Sequence, residues 1–183
     1  MTAAVQVRRV TAADWPRIRA ARLVALQDEA APVAFLDTLE AAAARPDAFW
    51  QERAANAAVG SRNAQFVAIT ADDEWVGNVI GLREEAGTAD WAGRPVEHLQ
   101  VHVVGVWVHP DHRGVGLLGR LVGEVERWAT DHGVSRLRLL VHEDNPRAQA
   151  AYRKLGFVPS GVVVPLEAGR ELEMVLSREP ARA

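Results

Sequence analysis

Hydrophobic and polar positions follow two different periods along the chain, and these periods predict its strands and helices. Period-two alternation and short apolar runs predict strands at residues 5–10, 65–70, 75–83, 99–108, 136–142, 157–164 and 170–177. Helical spacing predicts a first helix ending near residue 28, a second at 37–58 with a break at Pro46, and two more at 115–132 and 145–156. The predicted order is β-α-α-β-β-β-α-β-α-β-β.

Residues with strong local preferences mark the ends of these elements. Thr11 or Asp14 begins the first helix and Asn145 begins the last, because short polar side chains cap the exposed N–H groups of a helix. Gly133 ends the helix before the fifth strand. Gly105 interrupts the fourth strand and predicts a bulge there.

Composition and charge narrow the classes of protein that fit. The chain has 183 residues, 49% of them hydrophobic and 25% charged, which predicts one globular domain over residues 1–183. A net charge of −3 without a basic run argues against nucleic-acid binding. No apolar stretch approaches the roughly 20 residues of a membrane span, and no signal peptide is recognisable. The sequence therefore predicts a cytoplasmic protein.

Residues 106–118 hold the most informative motif of the chain. The strand stops at Pro110, the chain turns through Arg113, Gly114 and Gly116, and a helix follows. Glycine lets the backbone approach a ligand, and a helix N-terminus offers unpaired N–H groups and a positive dipole end. Arg113 can add a charged fork to the same anion. The motif predicts a phosphate or pyrophosphate site, although a turn of this kind can also need glycine for its geometry alone.

Two better-known phosphate loops fit this segment poorly. A Walker A loop ends in Gly-Lys-Ser or Gly-Lys-Thr, whereas Leu117 and Leu118 follow Gly116 here. The string from Gly114 to Gly119 matches the Gly-x-Gly-x-x-Gly of dinucleotide-binding folds, but it lies past the middle of the chain and no suitable βαβ unit precedes it. We interpret that match as accidental.

A second motif lies in the last predicted helix, where Asn145, Ala148 and Tyr152 are followed by Gly-Phe. Together with the Arg-x-x-Gly-like turn it resembles the GNAT superfamily of N-acetyltransferases, over residues 99–160. The resemblance implies an α/β fold of the α+β kind, with a twisted and mostly antiparallel sheet of about seven strands flanked by helices. It also implies acetyl-CoA as the acyl donor, with its pantetheine arm between the splayed fourth and fifth strands.

The resemblance further implies which residues bind acetyl-CoA. These are Val106, Val108, Arg113, Gly114, Val115, Gly116, Leu117, Leu118, Asn145 and Ala148. Leu118 departs from the family pattern, because glycine or alanine is usual there and Gly119 comes one residue late. A normal register of the loop turns Leu118 towards the core.

Tyr152 is the predicted general acid that gives a proton to the leaving thiolate. It is the only tyrosine of the chain and lies seven residues after Asn145, so both fall on one helical face. The alternatives are that Tyr152 is a packing residue and that Asn145 only caps its helix. With no cysteine in the chain, direct transfer in a ternary complex is favoured over a thioester intermediate.

The base that takes a proton from the attacking amine has two candidates. An amine with a pKa of about 10 must lose a proton before or during attack. His102 on the fourth strand suits this role, and Glu97 before that strand is the alternative, directly or through water. His102 can equally be a hydrogen-bonded residue without a catalytic part. No spacing of histidines resembles a zinc signature, so no metal is predicted.

The acceptor has no motif of its own. In the family the loops at residues 30–36 and 84–97 build the acceptor site, and either a small-molecule amine or a protein amine is compatible with them. Two competing hypotheses remain, a non-catalytic module that binds or senses acyl-CoA and an enzyme that uses a different nucleotide. A homodimer is possible, since dimers are common among the relatives.

Overall fold

The computed structural model describes residues 5–167 and 169–178. The strands within them are β1 (Gln6–Arg9), β2 (Asn63–Ile69), β3 (Trp75–Glu84), β4 (Gln100–Val108), β5 (Arg136–His142), β6 (Val158–Leu166) and β7 (Gly169–Ser177). The helices are α1 (Trp15–Ala25), α2 (Leu39–Ala44), α3 (Asp47–Ala58), α4 (Leu117–Asp131) and α5 (Pro146–Lys154). None of these helices is long and apolar enough to span a bilayer.

The strands form one seven-stranded sheet in the order β1-β2-β3-β4-β5-β7-β6. Every neighbouring pair is antiparallel except β4 and β5, which run parallel. A parallel pair needs a crossover, and α4 supplies it. The predicted fold class, a mostly antiparallel seven-stranded sheet flanked by helices, is confirmed. A single domain over residues 1–183 stays a prediction.

Helices cover both faces of the sheet. On one face α4 buries Leu121, Val125 and Trp128 in the main core, which continues across β3 to β5 and reaches α5. On the other face α1 and α3 pack against β2, with Trp50 fully buried beside Val67. Because each face is covered by different helices, the two faces of β4 have different surroundings.

Two predicted helix ends differ from the structure. The helix predicted over residues 115–132 begins at Leu117, because Gly116 has φ +81°, a left-handed conformation that a helix cannot contain. The helix predicted to end near residue 28 ends at Ala25. Past that point the chain makes turns, and Asp28 accepts a hydrogen bond from the Ala30 N–H (3.0 Å) instead of continuing the helix.

Candidate active site

A gap opens between β4 and β5. These strands pair only at Val101 with Leu137 and at His102 with Arg138. Beyond His102, β4 continues to Val108 without a strand partner on that side, so the backbone groups on that edge are free of ladder hydrogen bonds. Val106 and Val108, both predicted to bind acetyl-CoA, lie on this unpaired stretch.

A bulge at Gly105 bends β4 where the gap begins. The register with β3 shifts between Asn78 and Ile80, and Gly105 has φ +61°. The left-handed conformation favours glycine, and a Cβ at this position would also lie 3.0 Å from the end of the Ile80 side chain, which would have to move. The Asn78 amide donates to the Gly105 carbonyl oxygen (2.7 Å) and replaces a ladder hydrogen bond that the bulge removes. The predicted bulge is present.

The N-terminus of α4 is open for an anion. Gly114 (φ +79°) and Gly116 (φ +81°) turn the chain into the helix, and no atom lies within 4 Å of where their Cβ atoms would be. No side chain caps this end and no acidic residue lies in the first turn. The first N–H groups of α4 therefore have no side-chain acceptor, and they meet the positive end of the helix dipole.

The flanking side chains of this turn leave the backbone exposed. Val115 points to solvent, whereas Leu117 is buried in the main core. Leu118 is partly buried and packs against the same core. The one residue that departs from the family pattern thus turns inward, as a normal register of the loop requires.

The side chain of Arg113 has partners within the protein. Its Nε donates to the Val108 carbonyl oxygen (2.7 Å), and its NH2 group forms an ion pair with Asp28. Asp28 also accepts from the Trp107 indole (3.2 Å). The Arg113 guanidinium, which was predicted to bind an anion, therefore bonds to the segment after α1 instead. Only the backbone N–H groups of the glycine turn remain available to an anion.

The second predicted cofactor segment lies at the start of α5. Asn145 caps the helix by accepting from the Ala148 N–H (3.1 Å), which agrees with the capping alternative. Its amide also donates to the Val33 carbonyl oxygen (3.3 Å). Ala148 packs against the main core. Asn145 thereby ties α5 to the loop between α1 and α2.

Tyr152 lies inside the main core on α5. Its ring packs edge-on against Phe157, with 5.9 Å between ring centroids. Burial, and then the negative charge of Glu171, raise the pKa of the Tyr152 hydroxyl well above its usual range. The phenol therefore stays protonated throughout the physiological range.

A buried charge network surrounds Arg138 on the face of the sheet opposite α4. The Arg138 guanidinium bonds to carboxylates from three elements, with N···O distances of 2.8 Å, 2.9 Å and 3.1 Å. These carboxylates belong to Glu84 of β3, Asp90 of the loop at residues 85–99, and Glu173 of β7. All four side chains are at most 11% exposed. Asp90 anchors its loop over this face, and Trp91 beside it is half exposed.

The two candidate bases occupy opposite environments. His102 is buried, and its Nδ1 lies 3.3 Å from Glu84 Oε1 at the point where β4 and β5 part. Glu97 is exposed in the loop before β4, at the end of that strand away from the glycine turn. The structure brings His102 into the Arg138 network and leaves Glu97 outside it.

The Arg138 network makes the free energy of unfolding fall as the solution becomes acidic. Burial alone would raise the pKa of Glu84, but hydrogen bonds from His102 and Arg138 outweigh it and lower the pKa from 4.5 to about 2. A lowered folded-state pKa contributes stability above pH 4.5 that is lost as the pH falls towards 2. We expect the free energy of unfolding from urea titrations to drop by about 3 kcal/mol across this window through Glu84.

Glu84→Gln is the control for this expectation. It keeps the shape of the side chain and removes its titration, so the pH slope between 4.5 and 2 should become shallower. If the free energy of unfolding of Glu84→Gln depends on pH as steeply as that of the wild type, other carboxylates cause the acid sensitivity. Asp14 is one such group, because its hydrogen bond with Arg8 also lowers its pKa to about 2.

An open cleft of about 800 Å³, within the range of ligand sites, lies between the segment after α1 and the turn between β6 and β7. Its walls include Phe35, Leu36, Leu39 and Leu166. The predicted acceptor loop at residues 30–36 lines this cleft.

The sequence matches a known family over most of its length. Residues 21–157 match the model of the acetyltransferase (GNAT) family. The chain belongs to this family. The resemblance inferred from the glycine turn and the Asn145 motif is thereby confirmed. Proteins with the GNAT fold use acetyl-CoA as acyl donor.

Curated GNAT relatives match a shorter segment. The thialysine N-epsilon-acetyltransferase of Bos taurus is 35% identical over 66 residues, which are 36% of this chain and 36% of the relative. The matched segment thus covers only about a third of that relative's length.

Solved GNAT structures share the fold across nearly the whole chain. The GNAT domain of S. lividans PAT superposes with a TM-score of 0.70 at 17% identity, covering 95% of this chain and 90% of that one. The PaiA N-acetyltransferase of Thermoplasma acidophilum, in complex with coenzyme A, gives 0.67 at 17% identity, covering 96% and 99%. At these identities the likeness shows the fold alone.

Several site residues escaped prediction because their partners are distant in sequence. Asp28 pairs with Arg113, which is 85 positions away in the sequence, and Asp90 pairs with Arg138, which is 48 positions away. Neither acid belongs to a motif. The one available signal was the alternation of charged residues on β5 and β7, which defines a polar face without saying what covers it.

Proposed function

We propose that this GNAT protein is an acetyl-CoA-dependent N-acetyltransferase that moves the acetyl group directly to a primary amine in a ternary complex. The observation that carries the proposal is the unpaired stretch of β4 beside the open N-terminus of α4. The first offers backbone groups to a pantetheine arm, and the second offers N–H groups to a pyrophosphate. Family membership supports the same donor.

Tyr152 is the proposed general acid. The amine nitrogen attacks the acetyl carbon, the C–S bond breaks, and the departing thiolate takes a proton or a hydrogen bond from the Tyr152 hydroxyl. Burial raises the pKa of the Tyr152 hydroxyl, so the phenol is protonated when the thiolate leaves, and donation of a hydrogen bond is favoured over complete proton transfer. The amine gives one proton to the base, and a proton returned through solvent restores the Tyr152 hydroxyl wherever it has been transferred, so that the products are the amide and the free thiol of CoA. No cysteine is available for an acyl-enzyme intermediate, which supports direct transfer.

His102 is the proposed base in preference to Glu97. The lowered pKa of Glu84 keeps its carboxylate ionised, and Oε1 lies 3.3 Å from Nδ1 of His102, so this carboxylate can orient the ring with Nε2 towards the amine. A base oriented by a carboxylate is a recurrent catalytic arrangement. The solvent-exposed position of Glu97 beyond the start of β4 supports the same choice.

The proposed acceptor is a primary amine on a small molecule or a protein. The bovine relative is named for an ε-amine, which supports an amine at the end of a side chain. A cytoplasmic location, a homodimer, and the absence of nucleic-acid and membrane partners stay predictions from the sequence.

A CoA-release assay against a panel of primary amines, with acetyl-CoA binding measured by calorimetry, tests this function. We expect release that depends on an amine. Gly116→Ala should weaken acetyl-CoA binding at least tenfold, because a side chain at φ +81° strains the turn and enters the proposed anion site.

Gly133→Ala is the matched control for Gly116→Ala. Gly133 has a similar φ of +74° and the same open surroundings, but it lies at the other end of α4. Equal effects of the two substitutions on acetyl-CoA affinity would contradict the proposed pyrophosphate site. Acetyl-CoA binding without transfer to any amine would favour the non-catalytic module.

A further inference from the structure

A small cavity lies on the face of β4 opposite α4, next to the bulge. Most of its lining is apolar, and it includes Gly105 and Trp107 of β4. Four polar side chains also reach it, those of Arg22, Arg53, Gln65 and Asn78. About 20 Å³ is open to water-sized groups, which is room for roughly one or two such groups. Phe35 lines both this cavity and the larger acceptor cleft, so the two are neighbours.

One wall of the cavity presents a hydrogen-bond acceptor without a partner. The Gln65 amide donates to Asn78 Oδ1 (2.6 Å), and Asn78 in turn donates to the Gly105 carbonyl (2.7 Å). Because that carbonyl can only accept, the orientation of both amides is fixed. Gln65 is 3% exposed, and its Oε1 has no hydrogen-bond partner. A buried polar atom of this kind calls for a ligand or water.

The opposite wall carries excess positive charge. Arg22 and Arg45 both pair with Asp37 (3.3 Å and 2.7 Å), and Arg53 lies near this cluster. Arg53 makes no hydrogen bond or ion pair with any residue that the structure describes. Burial, followed by repulsion from Arg22 and Arg45, lowers the pKa of its guanidinium. Within the described part of the chain, the carboxylate of Asp37 is therefore the one negative charge beside three guanidinium groups.

Arg22 and Arg53 both line the cavity, whereas Arg45 does not. The Arg22 guanidinium stacks on the Phe35 ring at 4.4 Å, which keeps it beside the cleft. Arg53 is partly buried and makes no ion pair with the described residues, so an anion in the cavity would be favourable. The volume suits the two oxygens of a carboxylate better than the larger phosphate group.

We propose that the acceptor is a primary amine that also carries a carboxylate, as an amino acid does, and that Arg53 and Arg22 bind this carboxylate. The inference rests on the proposed acetyl transfer and names its substrate class. The planar guanidinium suits a carboxylate geometrically. Gln65 Oε1 accepts an N–H from the acceptor or from a bridging water. Four acidic residues line the larger cleft, of which Asp28 and Asp37 are paired with arginines, and none of the four lines the small cavity.

The test compares acceptors that differ only in the carboxylate. Lysine, lysinamide and 1,5-diaminopentane have the same amine-bearing chain, and kcat and KM for each follow from CoA release. We expect kcat/KM to be at least tenfold higher for lysine. Arg53→Gln should raise the KM for lysine at least tenfold and leave kcat/KM for 1,5-diaminopentane within twofold, while Arg53→Lys should restore part of the loss.

Arg62→Gln is the control, because Arg62 is exposed and does not line the cavity. Lysine binding by calorimetry, without turnover, gives a second readout for each variant. Equal kcat/KM for the three acceptors would overturn the inference and leave the acetyltransferase standing. Acetyl-CoA binding with no amine acetylated would overturn both. A higher kcat/KM for ethanolamine phosphate than for β-alanine would show that the site prefers a phosphate to a carboxylate, and it would contradict the assignment.

Discussion

Tyr152→Phe is expected to lower kcat about 100-fold or more while acetyl-CoA binds as tightly as before. General acid catalysis commonly contributes factors of this size. The substitution removes one oxygen and keeps the ring that packs against Phe157, so the core around α5 stays filled. The loss should therefore appear in the chemical step alone.

Three measurements separate this outcome from a structural defect. Calorimetric affinity for acetyl-CoA should change less than twofold, and the melting temperature should stay close to that of the wild type. The value of kcat should fall at every pH tested between about 6 and 9, because the buried phenol stays protonated throughout that interval. A variant with wild-type kcat would remove Tyr152 from the mechanism. A fall in affinity equal to the fall in kcat would make it a binding residue instead.

Arg138→Leu is expected to cost about 3–5 kcal/mol of unfolding free energy, the usual effect of removing one partner from a buried ion pair. Without the guanidinium, Glu84, Asp90 and Glu173 would share one interior region with no cation between them. The loop at residues 85–99 would also lose the ion pair that anchors Asp90 to the sheet. Urea denaturation followed by circular dichroism gives the measurement.

Arg170→Leu is the matched control. Arg170 also pairs with a glutamate on neighbouring structure, Glu143, but its side chain is 64% exposed, so its loss should cost less than about 1 kcal/mol. Adding Glu84→Gln to Arg138→Leu should recover part of the stability, because it removes one of the stranded charges. Similar costs for Arg138→Leu and Arg170→Leu would show that the buried network contributes no more than a surface pair.

Periodicity in the sequence was enough to predict the order of elements. The helix α4 is clear because Leu121, Val125 and Trp128 recur at helical spacing and all enter the core. Gly105 predicted the bulge because a glycine inside a strand is typical of a bulge or of a close approach of another backbone. These signals are local, so a single chain carries them without reference to its fold.

The charged interior could not be predicted in this way. Alternation along β5 and β7 places Arg138 and Glu173 on one face, and a charged face is ordinarily taken to be exposed to solvent. That face is buried because a loop from elsewhere brings Asp90 onto it. The role of Arg113 was missed for the same reason, since its partner Asp28 lies in another part of the chain.

The ion pair between Arg113 and Asp28 limits how the protein can be redesigned. Asp28 belongs to the segment that lines the acceptor cleft, and Arg113 belongs to the turn proposed to hold the donor. Libraries that vary residues 26–39 to change the acceptor would thus also perturb donor affinity. Selection for a new acceptor should keep Asp28 fixed, because donor and acceptor preferences cannot evolve independently through this position.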